Sequence, residues 1–92
     1  MLVTISAAAA RVMQRTPSLL GRLRLATTTA IRQGRLIGGR WQFQLAAPEA
    51  IQLRMALNVE ADARRSAHDT ATAQLLDGAA ADITAAMIAN RT

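Results

Sequence analysis

The sequence contains no cysteine and no lysine, and each absence excludes a class of site. Without cysteine there can be no disulfide framework and no thiolate site for zinc or redox chemistry. Without lysine there is no phosphate-binding loop of the Gly-x-x-x-x-Gly-Lys type, so Gly34, Gly38 and Gly39 are interpreted as turn residues. No apolar run approaches the roughly 18 residues that a membrane-spanning helix requires.

Aromatic residues are almost as scarce. Trp41 and Phe43 are the only two, whereas 21 of the 92 residues are alanine. A core built from such small side chains buries little apolar area per residue. We therefore expect one small domain over residues 1–92, to which a partner subunit contributes stability.

Acidic residues are absent from the first half of the chain. Residues 1–48 hold seven arginines and no acid, and residues 49–92 hold four arginines and six acids, so charges of +7 and −2 give the total of +5. This asymmetry is typical of a chain that binds an anionic partner or associates head to tail. The exclusive use of arginine fits either coding bias or selection for bidentate contacts to phosphate and carboxylate groups.

Apolar residues alternate with polar ones in three stretches. Every odd position from Ile51 to Ala63 is apolar, and similar alternation occurs over 23–31 and 40–46. A period of two predicts β-strands with one buried face. The residue types in 51–63 favour helix, but the periodicity is given precedence. Residues 40–46 and 51–63 are then predicted to form an antiparallel pair joined by a short loop.

Two helices are predicted at the ends of the chain. The first runs from Val3 to Arg15, with Thr4 or Ser6 as its cap. The second covers 67–90, where apolar residues recur at helical spacing, and Gly78 marks a point where it could kink. The predicted fold class is α+β, with an N-terminal helix, a three-stranded antiparallel sheet and a C-terminal amphipathic helix.

This architecture would give the sheet one apolar face and one arginine-rich face. The apolar face would carry Leu23, Leu25, Ile31, Trp41, Phe43, Leu45, Leu53, Met55, Leu57 and Val59. The opposite face would carry Arg22, Arg24, Arg32, Arg40, Arg54 and Arg64. Such a face is either a solvated surface or an interface for nucleic acid or an acidic partner. No aromatic residue lies among the arginines, which disfavours base stacking.

Only one cluster resembles catalytic or metal-binding chemistry, namely Glu60, Asp62, His68 and Asp69. The simplest interpretation is that the carboxylates pair with Arg54 and Arg64 and that the His-Asp step begins a helix. We therefore expect no enzymatic activity, no cofactor, no metal site and no small-molecule substrate.

A second interpretation of the same residues keeps a strand over 40–46 but makes 48–62 and 66–76 helices. That order is similar to a ribbon-helix-helix repressor, a basic dimer that reads DNA with a β-ribbon. The alternation over 51–63 argues against it.

The order of helix, Pro-Ser-Leu-Leu-Gly-Arg turn at 17–22, three strands and closing helix resembles the small phage tail-completion and tail-terminator proteins. This resemblance implies subunits that form a ring around a channel. The chain is shorter than is usual for that family and lacks its insertions between strands, and no functional residue is carried over.

The sequence thus predicts a non-enzymatic assembly protein, either a homo-oligomer or a subunit of a larger complex such as a phage tail or neck. The alternative is a basic nucleic-acid-binding module. The acid-free first third also resembles a transit peptide, so a virion, the cytoplasm and an organelle are all open as locations.

Overall fold

In the computed structural model, which describes residues 1–91, the strand β3 (Arg40–Gln44) lies at the centre of a three-stranded antiparallel sheet. The strand β1 (Leu2–Ser6) pairs with one edge of β3, and β2 (Arg35–Ile37) pairs with the other. Helices pack against one face of the sheet, so the fold class α+β is confirmed.

The alternation over 40–46 is a correct prediction of β3 and of its buried face. Val3 lies opposite Phe43, and Ile5 lies opposite Trp41, so all four side chains share one face of the sheet. Val3, Ile5 and Phe43 are buried, and Trp41 packs against the core while half-buried.

A two-residue turn joins β2 to β3. Gly38 and Gly39 have φ values of 59° and 79°, the left-handed conformation that a tight hairpin turn requires and that glycine adopts without strain. The turn predicted from this glycine pair is confirmed.

The N-terminal helix predicted over 3–15 is wrong in its first part. β1 precedes α1 (Ala7–Gln14), and Ser6 ends the strand and caps the helix by accepting a hydrogen bond of 3.1 Å from the Ala9 amide. The β-branched residues of β1 fill the core at alternate positions, which a helix starting at residue 3 could not do.

Two short helices follow, and the strand predicted over 23–31 is wrong. After α2 (Pro17–Leu20) comes α3 (Leu25–Arg32). Thr27 and Ile31, four residues apart, are the buried residues of α3, whereas Leu25 is 80% exposed. The threonine run therefore follows helical spacing despite its strand propensity.

The strand predicted over 51–63 is also wrong, and with it the pairing of that segment with 40–46. The segment lies inside α4 (Ala47–Ser66), a 20-residue helix. Its leucine, alanine, methionine, arginine and glutamate residues favour helix, and here this propensity outweighs the apparent alternation. The sheet is completed by β1 and β2 instead.

The C-terminal helix is confirmed as α5 (Thr70–Ala89), which passes through Gly78 without interruption. Asp69 caps it by accepting a hydrogen bond of 3.2 Å from the Thr72 amide. α4 and α5 form a helical hairpin, and α5 also packs on β1 and α1, which joins the hairpin to the sheet. Among the helices of residues 1–91, none combines the length and apolar character that crossing a bilayer demands.

Candidate functional site

Helix α4 carries two apolar rows on opposite sides. Leu53, Leu57 and Ala61 are completely buried and face the core. The second row, here called the α4 stripe, consists of Ile51, Met55 and Val59, which are 43%, 62% and 46% exposed. Residues four apart lie on one face of a helix, while residues two apart are about 200° apart. A run of apolar residues at every second position therefore makes a helix apolar on two sides.

A groove of about 340 Å³ runs beside the α4 stripe. It is lined by Arg22, Pro48, Ile51, Gln52, Met55, Ala56 and Val59. Gln52 also lines the groove, although its Oε1 is buried and makes no hydrogen bond within residues 1–91. The groove thus combines an apolar wall with an arginine, a combination that is common in protein contacts.

Glu60 is a buried carboxylate on the other side of α4, and both of its oxygens accept hydrogen bonds within the fold. The hydroxyl of Ser18 donates to Glu60 Oε1 at 2.8 Å, and Arg64 Nε donates to Oε2 at 3.3 Å. These bonds satisfy the carboxylate and tie α2 to α4. The expected pairing of Glu60 with Arg64 is confirmed.

Charges at the turn of the hairpin are paired with one another. Arg65 donates hydrogen bonds to Asp62 and to Asp77. These bonds raise the pKa of Arg65, and the bond to Asp62 has the largest effect. Asp62 therefore pairs with Arg65 and not, as the sequence suggested, with Arg54 or Arg64. Hydrogen bonds from Thr72, helped by the nearby Arg64, lower the pKa of Asp69. His68 occupies this turn with a φ of 63°.

The predicted arginine face of the sheet does not form. Of these six arginines, only Arg40 lies on a strand, and its guanidinium donates to Asp82 Oδ2 and to the Thr4 carbonyl, each at 3.1 Å. The other five arginines lie elsewhere, because the segments that carry them are not strands: Arg22 follows α2, Arg24 and Arg32 flank or end α3, and Arg54 and Arg64 belong to α4.

A second groove, of about 320 Å³, lies between the open face of the sheet and the segment that follows α3. Three glutamines at positions 33, 42 and 44, together with Arg35, supply its polar lining. Neither groove is lined by a carboxylate or by His68. Over residues 1–91, no group of three or more metal-ligating side chains is brought together.

No protein-family model, curated protein or solved structure matches this chain.

The fold itself can be compared with the ribbon-helix-helix interpretation. The helix it assigned to 48–62 is present within α4. However, β3 already pairs on both of its edges, so it cannot also pair with β3 of another copy to make the DNA-reading ribbon of that class.

The α4 stripe was not foreseen as a surface, although its signal is in the sequence. Met55 and Val59 were assigned to the same apolar face as Leu53 and Leu57, which is correct for a strand and wrong for a helix. Helical spacing applied to 51–63 separates the odd positions into two rows. Only one row can face the hairpin core, so the other must face outwards.

Proposed function

We propose that this chain is a non-enzymatic assembly protein whose α4 stripe is buried against another protein subunit. The observation that carries the proposal is the row of three large apolar side chains, Ile51, Met55 and Val59, which are 43–62% exposed on the outer face of a long helix. Single exposed apolar residues are common, but a contiguous row beside a groove is typical of an interface.

Burial of the α4 stripe supplies part of the free energy that such a contact needs, since association itself costs on the order of 4 kcal/mol or more. Full burial of one large aliphatic side chain is worth about 1.5–3 kcal/mol, so covering the exposed part of three yields roughly 2–5 kcal/mol. A small domain with an alanine-rich core benefits from this gain more than a larger one would. The proposal rests on α4 and not on the order of elements that resembled phage tail proteins, because the observed order is different. A phage tail or neck is one assembly that would use such a subunit.

The test is light-scattering mass after size exclusion, at low and high salt, with absorbance read at 260 and 280 nm. We expect one discrete multimer at both salt concentrations, because burial of apolar surface holds it together. Met55→Glu should convert the multimer to monomer, since it places a charge in the stripe. Gln74→Glu is the matched control, because Gln74 is also exposed on a 20-residue helix.

Two results would contradict the proposal. One is a wild-type chain that is monomeric at every concentration tested. The other is a Met55→Glu chain that assembles as fully as the Gln74→Glu control. Circular dichroism of both variants should match the wild type, because the replaced side chains are exposed.

A second candidate function, binding to nucleic acid, is favoured by a separate observation. Six arginines in residues 1–46 form no ion pair with any residue of the part of the chain that the structure describes: Arg11, Arg15, Arg22, Arg24, Arg32 and Arg35. Unpaired guanidinium groups are available to phosphate, and their contribution falls as salt rises.

This candidate predicts excess absorbance at 260 nm that disappears at high salt in the same experiment. Replacing Arg22, Arg24 and Arg32 together by glutamine should then weaken binding to a DNA or RNA oligonucleotide and reduce its salt dependence. Equal binding by the triple variant and the wild type would eliminate these arginines as the phosphate contacts.

A further inference from the structure

We propose that the outer edge of β2 binds an extended acidic segment of another protein, which adds to the sheet as a fourth strand. This surface shares no residue with the α4 stripe, so the inference goes beyond the proposed function and does not depend on it. Three features of residues 1–91 support it: an open strand edge, a groove on each side of that edge, and an arginine without a carboxylate partner in each groove.

The outer edge of β2 is open. β2 pairs with β3 and with no other strand of residues 1–91, and all three of its residues are exposed. The Met1 amine donates to the Leu45 carbonyl and the Leu45 amide donates back to the Met1 carbonyl, so the odd-numbered residues of β3 bond to β1. The even-numbered residues therefore bond to β2, at Arg35 and Ile37. The N–H and C=O of Leu36 point the opposite way, where an added strand finds a donor and an acceptor.

A groove lies on each side of this edge, because successive side chains of a strand point to opposite faces. The groove on the open face of the sheet is lined by Arg35 and Ile37. A groove of about 200 Å³ lies on the other face, where Leu36 and Trp41 meet α1. Leu36 and Ile37 are 61% and 51% exposed. A fourth strand would direct alternate side chains into the two grooves and cover both of these apolar residues.

Charge indicates which kind of segment fits. Over residues 1–91, each groove is lined by one arginine, Arg35 on the open face and Arg11 on the other, and by no carboxylate. Neither arginine forms an ion pair within those residues. Residues 1–48, which include both arginines and all three strands, contain no acid. A partner strand with carboxylates on both of its faces would therefore pair with both guanidinium groups.

The edge favours a peptide over a nucleic acid. Phosphate oxygens only accept hydrogen bonds, so they would meet the carbonyl of Leu36 as well as its amide, whereas a peptide backbone offers both a donor and an acceptor. The exposed apolar side chains of Leu36 and Ile37 also suit a peptide better than a phosphate backbone. Because β2 has only three residues, its edge offers few hydrogen bonds, and the two grooves supply most of the affinity.

Fluorescence anisotropy with a labelled peptide tests this inference. The probe is a repeat of Glu-Glu-Val-Val, which places both residue types on each face of a strand. We expect saturable binding and a change in the emission of Trp41, the only tryptophan, which lines one groove. The same peptide with lysine in place of glutamate should not bind. Methylation of the backbone amides should weaken binding about tenfold, because it removes the donors that reach the edge.

Substitutions in the chain locate the contact. Leu36→Pro removes the outward amide and spares the ladder to β3, since proline is tolerated on edge strands, and it should weaken binding about tenfold. Leu36→Val keeps the amide and is the matched control. Arg11→Gln and Arg35→Gln should each weaken binding by about 2- to 5-fold. Arg15→Gln should leave it unchanged, because Arg15 is exposed but lines neither groove.

Several outcomes would overturn the inference. They are no binding of the glutamate peptide up to its solubility limit, equal binding of the glutamate and lysine peptides, and equal binding of the methylated and unmethylated peptides. The methylated peptide tests the edge on the unaltered chain, so the result stands even if Leu36→Pro fails to fold. An oligonucleotide that changes the Trp41 emission and displaces the peptide at lower concentration would assign this surface to nucleic acid instead.

Discussion

The two halves of the chain are built differently. Residues 47–91, the hairpin half, consist of two 20-residue helices joined by a short turn. Residues 1–46, the basic half, contain five-, three- and five-residue strands and helices of eight, four and eight residues. Helices this short are not stable alone, so the basic half depends on its contacts with the hairpin, above all those of α5 with β1 and α1.

The halves also differ in how they use charge. Four of the five ion pairs found in residues 1–91 lie within the hairpin half and its turn, and the fifth joins Arg40 to Asp82 across the two halves. Five of the six acids thus form ion pairs within the fold, while most arginines of the basic half have no carboxylate partner in residues 1–91. From this comparison we expect the hairpin half to supply stability and the assembly surface, and the basic half to supply free positive charge.

The largest effect should come from the hairpin core. Leu57→Ala, at a position with no exposed surface, should lower the free energy of unfolding by about 2–5 kcal/mol, because it removes buried methyl groups and leaves a cavity. Leu25→Ala in the basic half, where the side chain is 80% exposed, should change it by less than about 0.5 kcal/mol. Urea unfolding measures both. Equal losses would contradict the difference in burial between Leu57 and Leu25.

Glycine substitutions should have opposite signs in the two halves. A Cβ at Gly34 would lie 2.7 Å from the Gln42 carbonyl oxygen and closer still to the ring nitrogen Nε1 of Trp41, so Gly34→Ala should destabilise by about 1–3 kcal/mol through overpacking. A Cβ at Gly78, inside α5, meets no atom within 4 Å, and Gly78→Ala should stabilise by about 0.5–1 kcal/mol. The midpoints of thermal unfolding compare them, and a shift in the same direction would contradict the packing described for Gly34.

Removal of the hydrogen bond between Ser18 of the basic half and Glu60 of the hairpin half should have a smaller effect. Ser18→Ala removes the 2.8 Å hydrogen bond to the buried Glu60, and we expect a loss of about 1 kcal/mol because Arg64 still contacts the carboxylate. Ser18→Thr retains a hydroxyl and serves as the control. Urea unfolding of Ser18→Ala that matches the wild type would mean that the bond does not hold α2 to α4.

The smallest effect concerns pH and the start of α5. The pKa of Asp69 is lowered in the folded chain, so its contribution to stability is present above the unfolded value of 3.8 and is lost as pH falls through the folded pKa. The midpoint of thermal unfolding should therefore fall more steeply below pH 3.8 for the wild type than for Asp69→Asn, which caps without titrating. Parallel curves would contradict this role.

The sequence predicted the fold class, β3, the glycine turn and α5, because each of these has one dominant pattern that agrees with its environment. The sequence-based prediction failed where one hydrophobic pattern is compatible with two structures. In α4, apolar residues at every second position satisfy both a half-buried strand and a helix that is apolar on two sides. Hydrophobic periodicity cannot separate these two cases, and only helix propensity pointed to the observed structure.

The incorrect strand prediction over 51–63 also led to an incorrect candidate site. If 23–31 and 51–63 were strands, the arginines in and beside them would share one sheet face with Arg40. The structure instead ties Arg40 to Asp82 and spreads the others over α2, α3 and α4. Met55 and Val59, now proposed for assembly, belong to the core in that prediction, since a strand has only one buried side and a helix distributes the same residues over two.

Trp41 has a consequence for following the folding of this chain. Its indole Nε1 donates a hydrogen bond of 2.8 Å to the Ile31 carbonyl, so the ring joins α3 to β3. As the only tryptophan, it makes fluorescence a probe of the basic half, whereas the far-ultraviolet dichroism signal comes mostly from the two long helices. Superimposable unfolding curves from the two signals would show that both halves unfold in one cooperative step. A fluorescence transition that precedes the dichroism transition would reveal an intermediate in which the hairpin survives after the sheet has opened.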